Sequence, residues 1–185
     1  MITVRRFIAD KDHAKSFCFK SSKEECALYF NTRLSIDIRR HLCVGYLVFE
    51  KENNFIGFFT LSAASVVNNN KDFYHTKGTY KRAPAILLGH FAIDERYQRK
   101  GYGKATLSHI FKLYAELSEK LGTICLAIEP YEESRTWYEQ FPVINAYIDS
   151  ESTYFIGYTK PLRLFVNKST SITTNFNKGD LPSSS

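Results

Sequence analysis

Ile86-Leu-Leu-Gly-His-Phe-Ala-Ile-Asp-Glu-Arg-Tyr-Gln-Arg-Lys-Gly-Tyr-Gly-Lys-Ala-Thr-Leu107 is the stretch that decides the fold. An apolar β-type run ends at Ile93, a short polar turn follows, and Gln98-Arg99-Lys100-Gly101-Tyr102-Gly103 opens a segment of helical periodicity. That order suits an anion. Two glycines let the backbone curl, successive N–H groups converge, and the helix that follows contributes the positive end of its dipole. Arg99, Lys100 and Lys104 supply countercharge. The two common phosphate loops do not fit: there is no Gly-x-x-x-x-Gly-Lys-Ser/Thr, and Gly-x-Gly-x-x-Gly fails because residue 106 is Thr.

Working outward, Leu107, Ile110, Phe111, Tyr114, Leu117 and Leu121 share one helical face, with Lys112, Glu116, Glu119 and Lys120 opposite and Gly122 as the stop. Thr123 to Ile128 reads as a buried strand broken by Pro130. Glu132 to Phe141 reads as a short helix carrying Trp137 and Tyr138, and residues 143–148 and 153–159 as closing strands. Upstream, residues 2–8 form a first strand, residues 12–42 one or two helices, and 45–50 with 55–62 a hairpin. Val67 to Ala83, with Asn68-Asn69-Asn70, is expected to be a long mobile loop, and the central strand to run from Pro84 to Ile93. The fold class is α/β (α+β), one domain over residues 1–166, with 167–185 a peripheral or disordered tail of Ser, Thr, Asn and Lys.

Composition narrows the function classes. The 185 residues are 44% hydrophobic and 15% aromatic, enough for a proper core. No apolar run reaches the roughly 18 to 20 residues that span a bilayer, and Met1-Ile-Thr-Val-Arg-Arg lacks the order of a signal peptide, so a cytoplasmic protein without a membrane partner is expected. Cys18, Cys26, Cys43 and Cys125 show no Cys-x-x-Cys spacing and read as reduced structural thiols, with no metal site. A net charge of +6 tilts the partner question towards polyanions.

The pattern Gln/Arg-x-x-Gly-x-Gly/Ala after an apolar strand resembles the GNAT superfamily of acetyl-coenzyme A dependent N-acyltransferases. A narrower likeness, carried by Phe55-Ile-Gly-Phe-Phe-Thr-Leu-Ser, Ala83-Pro-Ala-Ile-Leu-Leu-Gly-His-Phe-Ala-Ile-Asp and Arg135-Thr-Trp-Tyr-Glu-Gln-Phe, is to the GNAT toxins of bacterial toxin–antitoxin pairs, which acetylate the α-amine of charged tRNA. His90 stands where that group often has Arg, and Phe141 is followed by Pro142-Val143 rather than Gly-Phe.

The resemblance implies a mixed sheet of six or seven strands with a splayed central strand and helices on both faces. It implies acetyl-coenzyme A on the backbone of Phe91, Ala92 and Ile93, and on the loop Gln98, Arg99, Lys100, Gly101, Tyr102, Gly103 and Lys104. It also implies Tyr138 as the acid that protonates the departing thiolate, and aminoacyl-tRNA, a cognate antitoxin and a homodimer as partners. A phenol of pKa about 10 can play that part without ionising at pH 7. Glu129, His90 and Asp94 are candidate proton relays, a backbone N–H near 91–93 is the expected oxyanion donor, and Cys125, in a buried strand, has no base beside it. Arg39, Arg40, Lys77, Lys81, Arg82 and Arg96 are candidate tRNA phosphate contacts. Two other readings stay open: acetylation of a small-molecule or protein amine, and a non-catalytic acyl-coenzyme A binding module.

Overall fold

A computed structural model describes residues 1–51, 54–67, 82–141, 144–148 and 153–158. Among these residues seven strands form one sheet in the order β1-β2-β3-β4-β5-β7-β6: β1 Ile2–Arg6, β2 Val44–Glu50, β3 Asn54–Val67, β4 Arg82–Ile93, β5 Cys125–Ile128, β6 Ile144–Ile148 and β7 Thr153–Tyr158. Every pairing is antiparallel except β4 with β5. The parallel pair needs a crossover, supplied by the helix α3, Tyr102–Leu121.

Helices cover both faces, as expected. On one lie α1, Glu24–Leu28, a π-type turn at Tyr29–Arg33 and α2, Leu34–Arg39. They press Phe30 and Leu34 onto Phe7, Phe19, Leu47, Phe49, Phe55 and Phe58. On the other lie α3 and the single turn α4, Arg135–Tyr138, where Leu107, Ile110, Phe111, Tyr114, Tyr138 and Phe141 meet Ile56, Phe59, Leu61, Ile86, Leu88 and Leu126. Each large apolar side chain so buried stabilises by about 1.5–3 kcal/mol, which is what fixes the register of strands with two covered faces.

The expected boundaries shift in instructive places. β3 and β4 both extend beyond the hairpin and strand read from the sequence, reaching Val67 and Arg82. Pro84 therefore sits inside β4, opposite Ser65, where β5 has not yet begun and no ladder donor is missing on that side. The rest of the expected loop, residues 68–81, lies outside the described residues, as does the expected tail. β5 starts two residues later than read, and the helix expected over 132–141 is a 3-10 turn, Glu132–Ser134, followed by α4. Leu121, assigned to the core face of α3, is exposed, while Ser108, His109 and Ser118 are buried.

Candidate active site

Beside β5, strand β4 is paired only from Ala85 to Leu88. Past Leu88 it carries on to Ile93 against β3 alone, because β5 ends at Ile128 and Pro130 turns its chain away. A bulge marks the departure: Phe91 faces Phe59 and Leu88 faces Leu61, so Gly89 and His90 together oppose Thr60, whose Oγ1 accepts the His90 N–H at 2.9 Å. The side of β4 away from β3 is thus an open backbone edge over residues 89–93.

A cavity of about 480 Å³ lies along this edge. Phe91, Ala92 and Ile93 form one wall and Gln98, Arg99, Gly101, Gly103 and Lys104 another. Ser21, Ser22 and Lys23 close it from the turn before α1 and Cys26 from α1 itself, and Tyr131, Glu133, Ser134, Trp137 and Tyr138 from the segment after β5. Of the expected coenzyme contacts and Tyr138, all line it except Lys100 and Tyr102, and the expected relays Glu129, His90 and Asp94 are not among the lining residues. Lys100 Nζ donates to the Arg96 carbonyl at 3.0 Å, and the Tyr102 hydroxyl donates to Glu50 on β2. Tyr97, whose hydroxyl donates to Asn54 at 3.0 Å, makes a second tie. The two tyrosines anchor the loop to the β2–β3 hairpin instead of entering the cavity.

The loop has the curl that its glycines suggested. Arg99 has φ +58° and Gly101 φ +83°, with Gly101 as N-cap of α3 and its carbonyl accepting the Ala105 N–H at 3.1 Å. Left-handed residues two apart turn backbone N–H groups to one side, at the positive end of a 20-residue helix. At Gly103 the reason for glycine is closeness: a Cβ there would stand 3.3 Å from Trp137 Cζ2. Gln98 Nε2 donates to the Ile93 carbonyl at 3.0 Å and ties the loop to the edge.

Sequence reading missed Ser21, Ser22, Lys23, Cys26 and Tyr131, which reach the site only through tertiary packing. Lys23 forms an ion pair with Glu133 and lies 5.9 Å over the Tyr131 ring, while the Cys26 thiol donates to Tyr131 Oη at 3.7 Å. Together they clasp α1 to the segment after β5 across the cavity. Burial raises the pKa of Tyr138 well above the ordinary phenol, with a smaller contribution from Cys26, so the phenol holds its proton throughout the working range. Trp137 packs edge-on against it at 4.9 Å and sits 6.1 Å from Phe91.

The other candidates divide. Asp94 is not available as a relay: it is 0% exposed, caps the turn Glu95–Tyr97, and accepts from Lys20 N, Arg96 N and the Arg96 guanidinium at 2.8–3.0 Å. Burial alone would raise its pKa, but these donors outweigh it and hold the carboxyl below its usual range. Arg96 is committed to that pair, and Arg39 to Asp10 and the Ala9 carbonyl. Arg40 and Arg82 are exposed, Arg82 donating to Ser65 Oγ at 3.2 Å, and Lys77 and Lys81 lie outside the described residues. Glu129 is exposed just past β5, and Cys125 is fully buried with its thiol pushed up to about 12 by burial. Among the described residues no three His, Cys, Asp or Glu cluster to hold a metal, and no helix is long and apolar enough to cross a membrane.

An open strand edge, a glycine-bearing loop at a helix N-terminus and a buried phenol thus meet at one cavity. The acetyltransferase (GNAT) family profile matches residues 11–141, and the chain belongs to that family. No curated protein matches it significantly in sequence. Among solved structures it is similar to AtaT complexed with acetyl-methionyl-tRNAfMet, with TM-score 0.77 and 21% identity over 89% of this chain and 99% of that one. It is also similar to AtaTR bound with acetyl-coenzyme A, at 0.73 and 22% over 89% and 97%. A tyrosine-to-phenylalanine mutant of KacT gives 0.75 and 20% over 89% and 98%.

Proposed function

We propose that this acetyltransferase uses acetyl-coenzyme A to acetylate the α-amine of an aminoacyl-tRNA. The observation that carries the chemistry is the Tyr138 phenol, buried and protonated in the cavity between the open edge and the amide-lined loop. The substrate class is supported by the likeness in fold to a protein solved with acetyl-methionyl-tRNAfMet.

The pyrophosphate of the coenzyme rests on the amides of Arg99 to Lys104, and its pantetheine arm bonds the β4 edge at Phe91, Ala92 and Ile93 as a missing strand would, the Ile93 carbonyl keeping its bond from Gln98. The neutral amine attacks the thioester carbon, forming the C–N bond, and its nitrogen then sheds one proton to solvent, while an edge N–H stabilises the oxyanion. As the C–S bond breaks, the thiolate takes the proton of Tyr138 Oη, which solvent restores. An α-amine, with pKa near 8 and lowered further by the adjacent ester, is partly neutral at pH 7, whereas a lysine at about 10.4 is not. Direct transfer needs no acyl-enzyme, and Cys125 is sealed in the core.

Transfer of labelled acetyl groups to charged tRNA, against the same tRNA deacylated, tests the reading with wild type and Tyr138→Phe. Label on charged tRNA alone, lost in the variant, is the expected result. Label appearing instead on a small or protein amine would replace the substrate, and coenzyme binding without any transfer would leave a binding module.

A further inference from the structure

Residues 20–26 form a strap that joins the two long walls of the cavity. At its start the Lys20 N–H donates to Asp94 Oδ2 at 2.9 Å, and the Lys20 carbonyl accepts the Glu95 N–H at 3.1 Å. The strap therefore leaves from the corner where β4 gives way to the glycine-bearing loop. At its end the Cys26 thiol donates to Tyr131 Oη, on the segment after β5. Between these ties Ser21 Oγ accepts the Lys23 N–H at 3.1 Å and fixes the turn. Lys23 is three residues from Lys20, so its backbone stays within about 10 Å of the β4 corner, while its ammonium reaches Glu133 on the far wall.

We infer that Lys23 is a coenzyme ligand held in reserve: when acetyl-coenzyme A binds, the Lys23 ammonium leaves Glu133 and pairs with the diphosphate seated on loop 99–104. The inference rests on the coenzyme part of the reading above and not on the choice of tRNA as acceptor. It adds to the loop a cation from a distant part of the chain, which the glycine pattern does not contain.

Charge favours the exchange. Among the described residues that line the cavity, Lys23, Arg99 and Lys104 are cationic and Glu133 alone is acidic. A diphosphate brings two negative charges into that cavity, against one on the carboxylate. The pair it displaces is weak, because the Lys23 and Glu133 side chains are 39% and 66% exposed and water screens them. Glu133, once released, is exposed enough to be solvated, so leaving it unpaired costs little. A lysine also suits a change of partner: its ammonium is a point charge with three donors on a flexible four-carbon stem.

The test is isothermal titration of wild type, Lys23→Met, Lys23→Arg and Glu133→Gln with acetyl-coenzyme A and with S-acetylpantetheine, which lacks the diphosphate. Lys23→Met should weaken acetyl-coenzyme A about 10-fold, and Lys23→Arg should restore it to within about threefold of wild type. Glu133→Gln should move the other way and tighten it about two- to fivefold, since the competing carboxylate is gone. S-acetylpantetheine should bind all four proteins alike. Equal weakening of acetyl-coenzyme A by Lys23→Met and Glu133→Gln would overturn the inference, making the pair a structural clasp. So would a Lys23→Met loss of the same size on S-acetylpantetheine. No binding of acetyl-coenzyme A by wild type would overturn the coenzyme reading and this inference together. The expected pattern of affinities, without acetyl transfer to charged tRNA, would refute the acceptor and support the role of Lys23.

Discussion

Gly101 and Gly122 form a matched pair for testing how the loop works. Both have positive φ, +83° and +65°, both flank α3, and an added Cβ would meet nothing within 4 Å at either. Alanine at each therefore costs only the backbone preference, about 1–2 kcal/mol. For a chain of this size that lowers Tm by about 2–4 °C per kcal/mol. The two positions differ in their neighbours. Gly122 caps the far end of α3, and relaxation there disturbs no ligand. Relaxation at Gly101 swings amides between Arg99 and Lys104 off the pyrophosphate. Loss of one charge-assisted hydrogen bond, worth about 1.5–3 kcal/mol, weakens acetyl-coenzyme A about 10- to 100-fold. Isothermal titration of both variants, after thermal melts show matched stability loss, reads the contrast directly. Equal coenzyme affinity in Gly101→Ala and Gly122→Ala would refute the amide-loop argument.

Tyr138→Phe should bind coenzyme within about twofold of wild type yet lose at least about 100-fold in kcat, measured by release of free thiol. Asp94→Asn should cost about 2 kcal/mol in urea unfolding at pH 7, since it weakens the bonds from Lys20 N and the Arg96 guanidinium. Its pKa is depressed in the folded state, so the carboxylate's contribution is present above about pH 4 and is lost as the pH falls through the folded value. Wild type should then lose stability more steeply than the variant below pH 4. Charged-tRNA affinity, followed by filter binding from 50 to 200 mM salt, should fall by orders of magnitude, and a flat response would remove nucleic acid from the reading.

Much of the site could be read along the chain because it is local: Phe91 to Lys104 is one strand, one turn and one helix start, and glycine spacing reports backbone curvature directly. α3 was equally plain, its buried Leu107, Ile110, Phe111 and Tyr114 falling at helical intervals. What escaped depends on approach between distant segments. Nothing in Ser21-Ser22-Lys23 shows that it will meet Glu133, nor in the loop that the side chains of Lys100 and Tyr102 will turn to Arg96 and Glu50 and leave only their backbone to the site. Asp94 looked like a relay because a carboxylate beside a site is reactive in the abstract. Only the three-dimensional count of its donors makes it a clamp. Pro84 misled for a similar reason, since its cost depends on whether a neighbouring strand asks for its missing N–H.

Four paired residues hold β4 to β5, and the next five of β4 face a gap. An unfilled gap in the middle of a sheet is an edge turned inward, with the same appetite for another chain's backbone as any exposed strand. A small molecule that fills it does more than react. It completes the sheet, and by mass action adds about 2.7 kcal/mol of stability at one hundred times its dissociation constant. On the reading proposed above, the donor coenzyme would thus act as a structural element of the sheet as well as a reactant.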